Sequence, residues 1–112
     1  MSKVYAFIKA TKGQNWAEEQ EREIRDYCEK NNLVVDEWVK DIRDSCSGHN
    51  TDCLQSVIGK LEKGDVVIFE TINRISRDGK ECRAFYNAIL EKGADVIAVD
   101  SLSLSALLNL PV

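Results

Sequence analysis

Four side chains stand out by type and spacing: Lys9, Thr11, Arg74 and Arg77. Arg74 and Arg77 lie three residues apart in Asn73-Arg74-Ile75-Ser76-Arg77, and each guanidinium offers a rigid fork of donors matched to phosphate or carboxylate oxygens. Lys9 and Thr11 add an ammonium and a hydroxyl. A hydroxyl among three cations suits attack on a phosphodiester: the oxygen attacks phosphorus while the cations stabilise charge on the non-bridging oxygens. Glu70 and Asn73 flank the arginine pair and are placed to orient it. Taken singly, each feature has a plainer use, since loop arginines are commonly solvated and a loop threonine commonly bonds its own turn. The four converge only if the fold brings two distant loops together.

The chain pattern provides for that. Val66-Val67-Ile68-Phe69 is a short unbroken apolar run, as expected of a strand buried on both faces of a parallel sheet, and the arginines follow its carboxyl end. Val4 to Ile8 is a similar run, with Lys9 and Thr11 just beyond it. Open α/β sheets collect their ligands at the carboxyl ends of strands. If the two strands are neighbours, their loops meet at one edge.

The remaining elements alternate. A helix is expected over about Trp16 to Lys30, with Asn15 as its N-cap and Glu18 completing a capping box. Ala17, Gln20, Ile24, Tyr27 and Cys28 line its inner face. Leu33-Val34-Val35 opens a second strand reaching about Val39. The polar stretch Asp41 to Asn50, with Ser47-Gly48, reads as a loop. Thr51 caps a short helix that turns Leu54, Val57, Ile58 and Leu61 inward, and Lys63-Gly64 closes it. After Arg77, Asp78 and Glu81 repeat the capping pattern for a helix with Cys82, Phe85, Tyr86, Ile89 and Leu90 on its apolar face. Gly93 ends it, and Val96 to Val99 forms a fourth strand. Such alternation means a mostly parallel sheet with helices on its faces.

The 112 residues make one domain, with 44% hydrophobic and 30% charged residues and a single proline. No apolar run reaches membrane-spanning length and the start MSKVYAF has no signal-peptide layout, so a cytoplasmic protein is expected. Fifteen basic against nineteen acidic residues give a net charge of −4. Free-standing nucleic-acid binders are basic, so any contact with DNA is confined to one face or depends on another module. Cys28 and Cys82 fall on apolar helix faces as reduced core residues, and Cys46 and Cys53 carry no sign of a designed bridge. No metal motif or phosphate-binding glycine loop appears, and no cofactor is expected. Residues 101–112 are apolar and carry no side-chain charge, which makes them a packing segment or a partner surface.

With these residues in view, the chain resembles the catalytic domain of the serine recombinases, the resolvase/invertase family. The family motif aromatic-x-R-V-S-T-x-x-Q-x-x-x-x-Q falls without gaps on Phe7, Lys9, Ala10, Thr11, Lys12, Asn15 and Gln20. A second motif, G-D, an apolar strand, then L-D-R-L-x-R-D, falls on Gly64-Asp65 and on Ile72 to Asp78. The resemblance covers about Val4 to Asp100. It implies a three-layer sandwich with a four- to five-stranded sheet, a catalytic unit over residues 1–100, and a tail over 101–112 with no DNA-binding domain. It also implies cofactor-free DNA strand exchange through a covalent phosphoserine link, and a homo-oligomer or recombinase partner. Residue by residue, Thr11 stands at the nucleophile, Lys9 at the first arginine, Arg74 and Arg77 at the other two, and Gln20 at a supporting glutamine.

The departures weigh against full activity. Threonine replaces serine, lysine replaces a guanidinium, Asn73 replaces an aspartate, and Thr51 stands at a loop arginine. They imply weakened or lost catalysis. The alternative is a non-catalytic accessory module on the same fold. An anion-binding domain for small phosphorylated molecules has less support, for want of a glycine-rich cradle.

Overall fold

A computed structural model describes residues 2–10, 14–42, 52–72, 79–100 and 105. Its elements are β1 (Val4–Ala10), α1 (Gln14–Lys30), β2 (Glu37–Ile42), α2 (Asp52–Lys60), β3 (Val66–Phe69), α3 (Gly79–Glu91) and β4 (Asp95–Ala98). The strands form a parallel sheet of order β2-β1-β3-β4. The expected α/β sandwich is therefore present, with four strands among the described residues.

Alternation along β1 and β3 sorts the core into two layers. Ala6, Ile8 and Ile68 face α1, where Ala17, Ile24 and Cys28 pack on them. Tyr5, Phe7, Val67 and Phe69 face the other way, onto Leu54, Val57 and Leu61 from the α2 side and onto Cys82 and Ile89 of α3. The connection through α1 moves the chain from β1 to β2, and the connection through α3 moves it oppositely, from β3 to β4. Opposite directions with helices on opposite faces give the two crossovers the same hand, in keeping with the chirality rule for parallel units. The direction reverses between β1 and β3, which makes their shared carboxyl edge the topological switch point.

Three expectations need correction. The second strand runs from Glu37 to Ile42, not from Leu33. Leu33 and Val35 are instead a connection whose side chains pack beneath α1, so their apolar character reflects burial without pairing. Asn15 is not an N-cap, because α1 already begins at Gln14. Leu90 is 40% exposed and does not join the inner face of α3. The capping residues Thr51 and Asp78 lie outside the described residues. Gly93 ends α3 at a positive φ of 80°, where a Cβ would come within 3.1–3.2 Å of Lys63. That position needs glycine.

The edge opposite the switch point is closed by Asp65. Its carboxylate, 2% exposed, accepts the Lys3 amide at 2.8 Å and the Glu62 amide at 2.9 Å. Its carbonyl accepts the amide of Asp95. One residue thus joins the starts of β1, β3 and β4. Asp36 does the same for β2, exchanging backbone and side-chain bonds with Val4.

Candidate active site

The carboxyl edge is built from the point where β1 and β3 part. Their last paired residues are Phe7 and Phe69, both fully buried, with ring centroids 5.6 Å apart and planes tilted by 60°. That aromatic pair floors the edge. Beyond it a regular parallel ladder would continue with Lys9 beside Thr71, the Lys9 amide donating to the carbonyl of Glu70. The chain does otherwise. The carbonyls of Phe69 and Glu70 both turn to β4, accepting the amides of Val99 and Asp100 at 2.9 Å each. Two successive carbonyls on one side break the pleat, since successive residues of a strand face opposite neighbours. β3 therefore swings toward β4 and leaves β1 at Glu70.

Gln20 takes the place that β3 vacates. It is 1% exposed on the inner face of α1. Its Nε2 donates to the Lys9 carbonyl at 2.8 Å, and its Oε1 accepts the Lys9 amide at 3.2 Å. A single side-chain amide mimics the two ladder bonds that β3 would have supplied, so the end of β1 is bonded on that side as well as on the β2 side, where pairing continues to Ala10 and Ile42. The backbone groups need such a partner, because buried amides and carbonyls left unpaired are costly. Position 11 follows directly on the strand so fixed.

Among the expected site residues, Lys9 and Gln20 come together in this way, through the backbone of Lys9. Thr11, Asn73, Arg74 and Arg77 lie outside the described residues. In sequence, Thr11 is the residue after Ala10, the last of β1, and Asn73 is the residue after Ile72, beyond β3. Ile72 is buried in the core, and its carbonyl receives the thiol of Cys82 at 3.8 Å, which ties the chain to α3 just before Asn73. Cys82 and Cys28 are both free and buried, and burial pushes the Cys28 thiol above its ordinary value. Neither has the character of a reactive thiolate.

One polar residue at this edge carries no signal in the sequence. Thr71 is buried, yet its Oγ1 has no hydrogen-bond partner among the described residues. Gln20 did carry one: a glutamine on an otherwise apolar helix face has to find polar partners.

The outer surface of α1 is held to β2 by charge. Glu21 pairs with Lys40 of β2 and, at 3.0 Å, with Arg25 one turn along, while Arg25 lies 4.5 Å over the ring of Trp38. The Lys40 bond, then the Arg25 bond, keeps the Glu21 carboxyl below its ordinary value. No helix among the described residues is long and apolar enough to cross a membrane.

Comparisons with known proteins agree with this architecture. The N-terminal catalytic domain of TP901-1 integrase has a TM-score of 0.72 to the chain, at 19% identity, over 95% of this chain and 91% of that one. A resolvase family site-specific recombinase from Streptococcus pneumoniae has a TM-score of 0.71 at 15% identity, over 96% and 83%. The C-terminal catalytic domain of ISC1926 TnpA, an IS607-like serine recombinase, has a TM-score of 0.69 at 18% identity, over 93% and 77%. At such identities these structures establish the fold. No relative among curated proteins matches the chain. The family is carried by the sequence itself, because the model of the resolvase N-terminal domain matches residues 9–106. The chain belongs to the resolvase N-terminal domain family.

Proposed function

We propose that the domain acts in site-specific DNA recombination, with Thr11 as nucleophile and Lys9, Arg74 and Arg77 as the cations of one phosphodiester site. The observation that supports this most directly is the parting of β1 and β3 at the switch point, with Thr11 and the arginine pair following the two strand ends in sequence. In the reaction the Thr11 oxygen attacks phosphorus and gives up its proton. A deoxyribose oxygen leaves and takes up a proton as a free hydroxyl. One phosphate ester replaces another, so the step is close to isoenergetic, and attack by a hydroxyl of a second strand end reseals the DNA. The cations act on the non-bridging oxygens, where charge develops. Gln20 contributes by fixing the backbone ahead of Thr11, and Asn73 is placed to orient Arg74.

The same residues lower the rate. The threonine methyl crowds in-line attack, and the Lys9 ammonium is a point charge without a bidentate fork. The reaction takes place in the cytoplasm on a DNA substrate delivered by a separate DNA-binding module. Residues 101–112 are the contact for a second copy or an intact recombinase, beside a catalytic unit over residues 1–100.

The test is to incubate the protein with supercoiled DNA carrying its recombination site and to seek a protein–DNA adduct on denaturing gels. A slow adduct is expected, lost in Thr11→Ala and formed faster in Thr11→Ser. An adduct that survives Thr11→Ala removes Thr11 as nucleophile. A second reading, an accessory module without catalysis, is motivated by the replaced nucleophile and the net charge of −4. It gains support if neither wild type nor Thr11→Ser forms an adduct and sedimentation shows association with an intact recombinase.

A further inference from the structure

Two polar groups at the carboxyl edge are left over by the fold. Thr71 is only 8% exposed, and its Oγ1 is fully covered with no hydrogen-bond partner among the described residues. Lys9, two residues past the Phe7–Phe69 pair on β1 as Thr71 is on β3, has an ammonium that forms no ion pair among the described residues. A buried hydroxyl without a partner keeps its desolvation cost with no bond to offset it. Valine would fill nearly the same volume without that cost. Nor is the hydroxyl used for a local turn or for bonding to a preceding carbonyl, the ordinary employments of threonine. Its position is one residue past Glu70, where β3 turns away from β1, and Lys9, whose backbone is bonded by Gln20, holds the matching place on β1.

We infer that the Thr71 hydroxyl is a further ligand for the oxyanion at this edge, donating to a non-bridging phosphate oxygen beside the Lys9 ammonium. The inference rests on the phosphodiester site proposed above and adds a neutral donor to its cations. Burial is what makes such a donor effective. Its water was removed when the chain folded, so an arriving oxyanion gains the hydrogen bond without again paying for desolvation of the donor. Oγ1 is covered in this structure, so contact with an anion requires that it become accessible. A neutral donor also adds no positive charge to an edge that already holds a lysine and two arginines nearby in sequence.

The experiment is a titration of the full chain with inorganic phosphate, followed through the amide resonances of Lys9 and the side-chain amide of Gln20, together with urea unfolding of each variant. Thr71→Val is expected to fold with stability equal to or above wild type, because an unsatisfied group has been removed, and to bind phosphate about ten-fold more weakly. Thr71→Ser is expected to restore binding. Should Thr71→Val not fold, Thr71→Ala serves in its place, with the same loss expected. Thr71→Val binding as wild type does, while Arg74→Gln is impaired, overturns the assignment of Thr71 and leaves the phosphodiester site standing. Absence of phosphate binding by wild type overturns both. A Thr71→Val variant markedly less stable than wild type shows that the hydroxyl has a structural partner, and that also overturns the inference.

Discussion

The two ends of the parallel sheet are finished in opposite ways. At the amino edge every strand start is tied: Asp65 receives the amides of Lys3 and Glu62, its carbonyl receives Asp95, and Asp36 fastens Val4. At the carboxyl edge the two central strands are driven apart. The pleat breaks at Glu70, a glutamine substitutes for a strand neighbour, and a threonine hydroxyl is buried without a partner. The first edge satisfies its polar groups, and the second leaves one buried hydroxyl and one ammonium without a partner among the described residues. Under the proposed function, stability and binding are thus separated along the strand axis, as where a rigid scaffold presents functional loops.

If that division holds, substitutions at the two edges differ in kind. The largest effect is expected from Asp65→Ala, which removes a buried acceptor of two backbone amides. It should cost about 3 kcal/mol, read as a lower urea midpoint at unchanged m-value. Its phosphate affinity, measured below the unfolding transition, should match wild type. A selective loss of phosphate binding would break the division. Gln20→Met comes next, at about 2 kcal/mol, because the amide and carbonyl of Lys9 lose both partners. It should also impair adduct formation beyond what the fraction folded explains, with hydrogen exchange at Lys9 rising more than at Tyr5. Equal protection at both residues would show that β1 needs no clamp.

The smallest expected effect lies on neither edge. The Glu21 carboxyl is held below its ordinary value of 4.5 by its bonds to Lys40 and Arg25. A carboxyl lowered on folding stabilises the protein at pH above its unfolded value, and that contribution is lost as pH falls through the lowered folded value. The stability difference between wild type and Lys40→Met should therefore be about 0.5 kcal/mol near neutrality and vanish in acid. A difference that persists after Glu21 is protonated would assign the effect of Lys40 to packing of its stem.

Sequence and fold agree most closely where burial alone decides the residue type. The run Val66 to Phe69 could only be an interior strand, and it is paired on both sides. Leu33 to Val35 shows the limit of that logic, because β-branched and apolar residues are required equally by a strand and by a connection pressed under a helix. Leu90 shows the converse, since spacing along α3 placed it inward and the fold leaves it 40% exposed. At the site, Lys9, Thr11, Arg74 and Arg77 are expected as a set from their types and their place after two apolar runs, and of the four only Lys9 lies among the described residues. The bonding of Gln20 was not legible. Periodicity gives the face of a helix, and the backbone group met there depends on where a neighbouring strand ends.

By itself the sequence determined the alternation of strands and helices, the apolar faces of α1, α2 and α3, and the motifs of the family. Those follow from local spacing and from the short-range preference of side chains for burial. Only the tertiary structure decided that β1 and β3 are neighbours, that they separate at Glu70, and that Thr71 is covered without a partner. These depend on pairing between residues about sixty positions apart, as in Val4 with Val66. Such pairing is set by the competition of whole strands for hydrogen bonds, which no local pattern records.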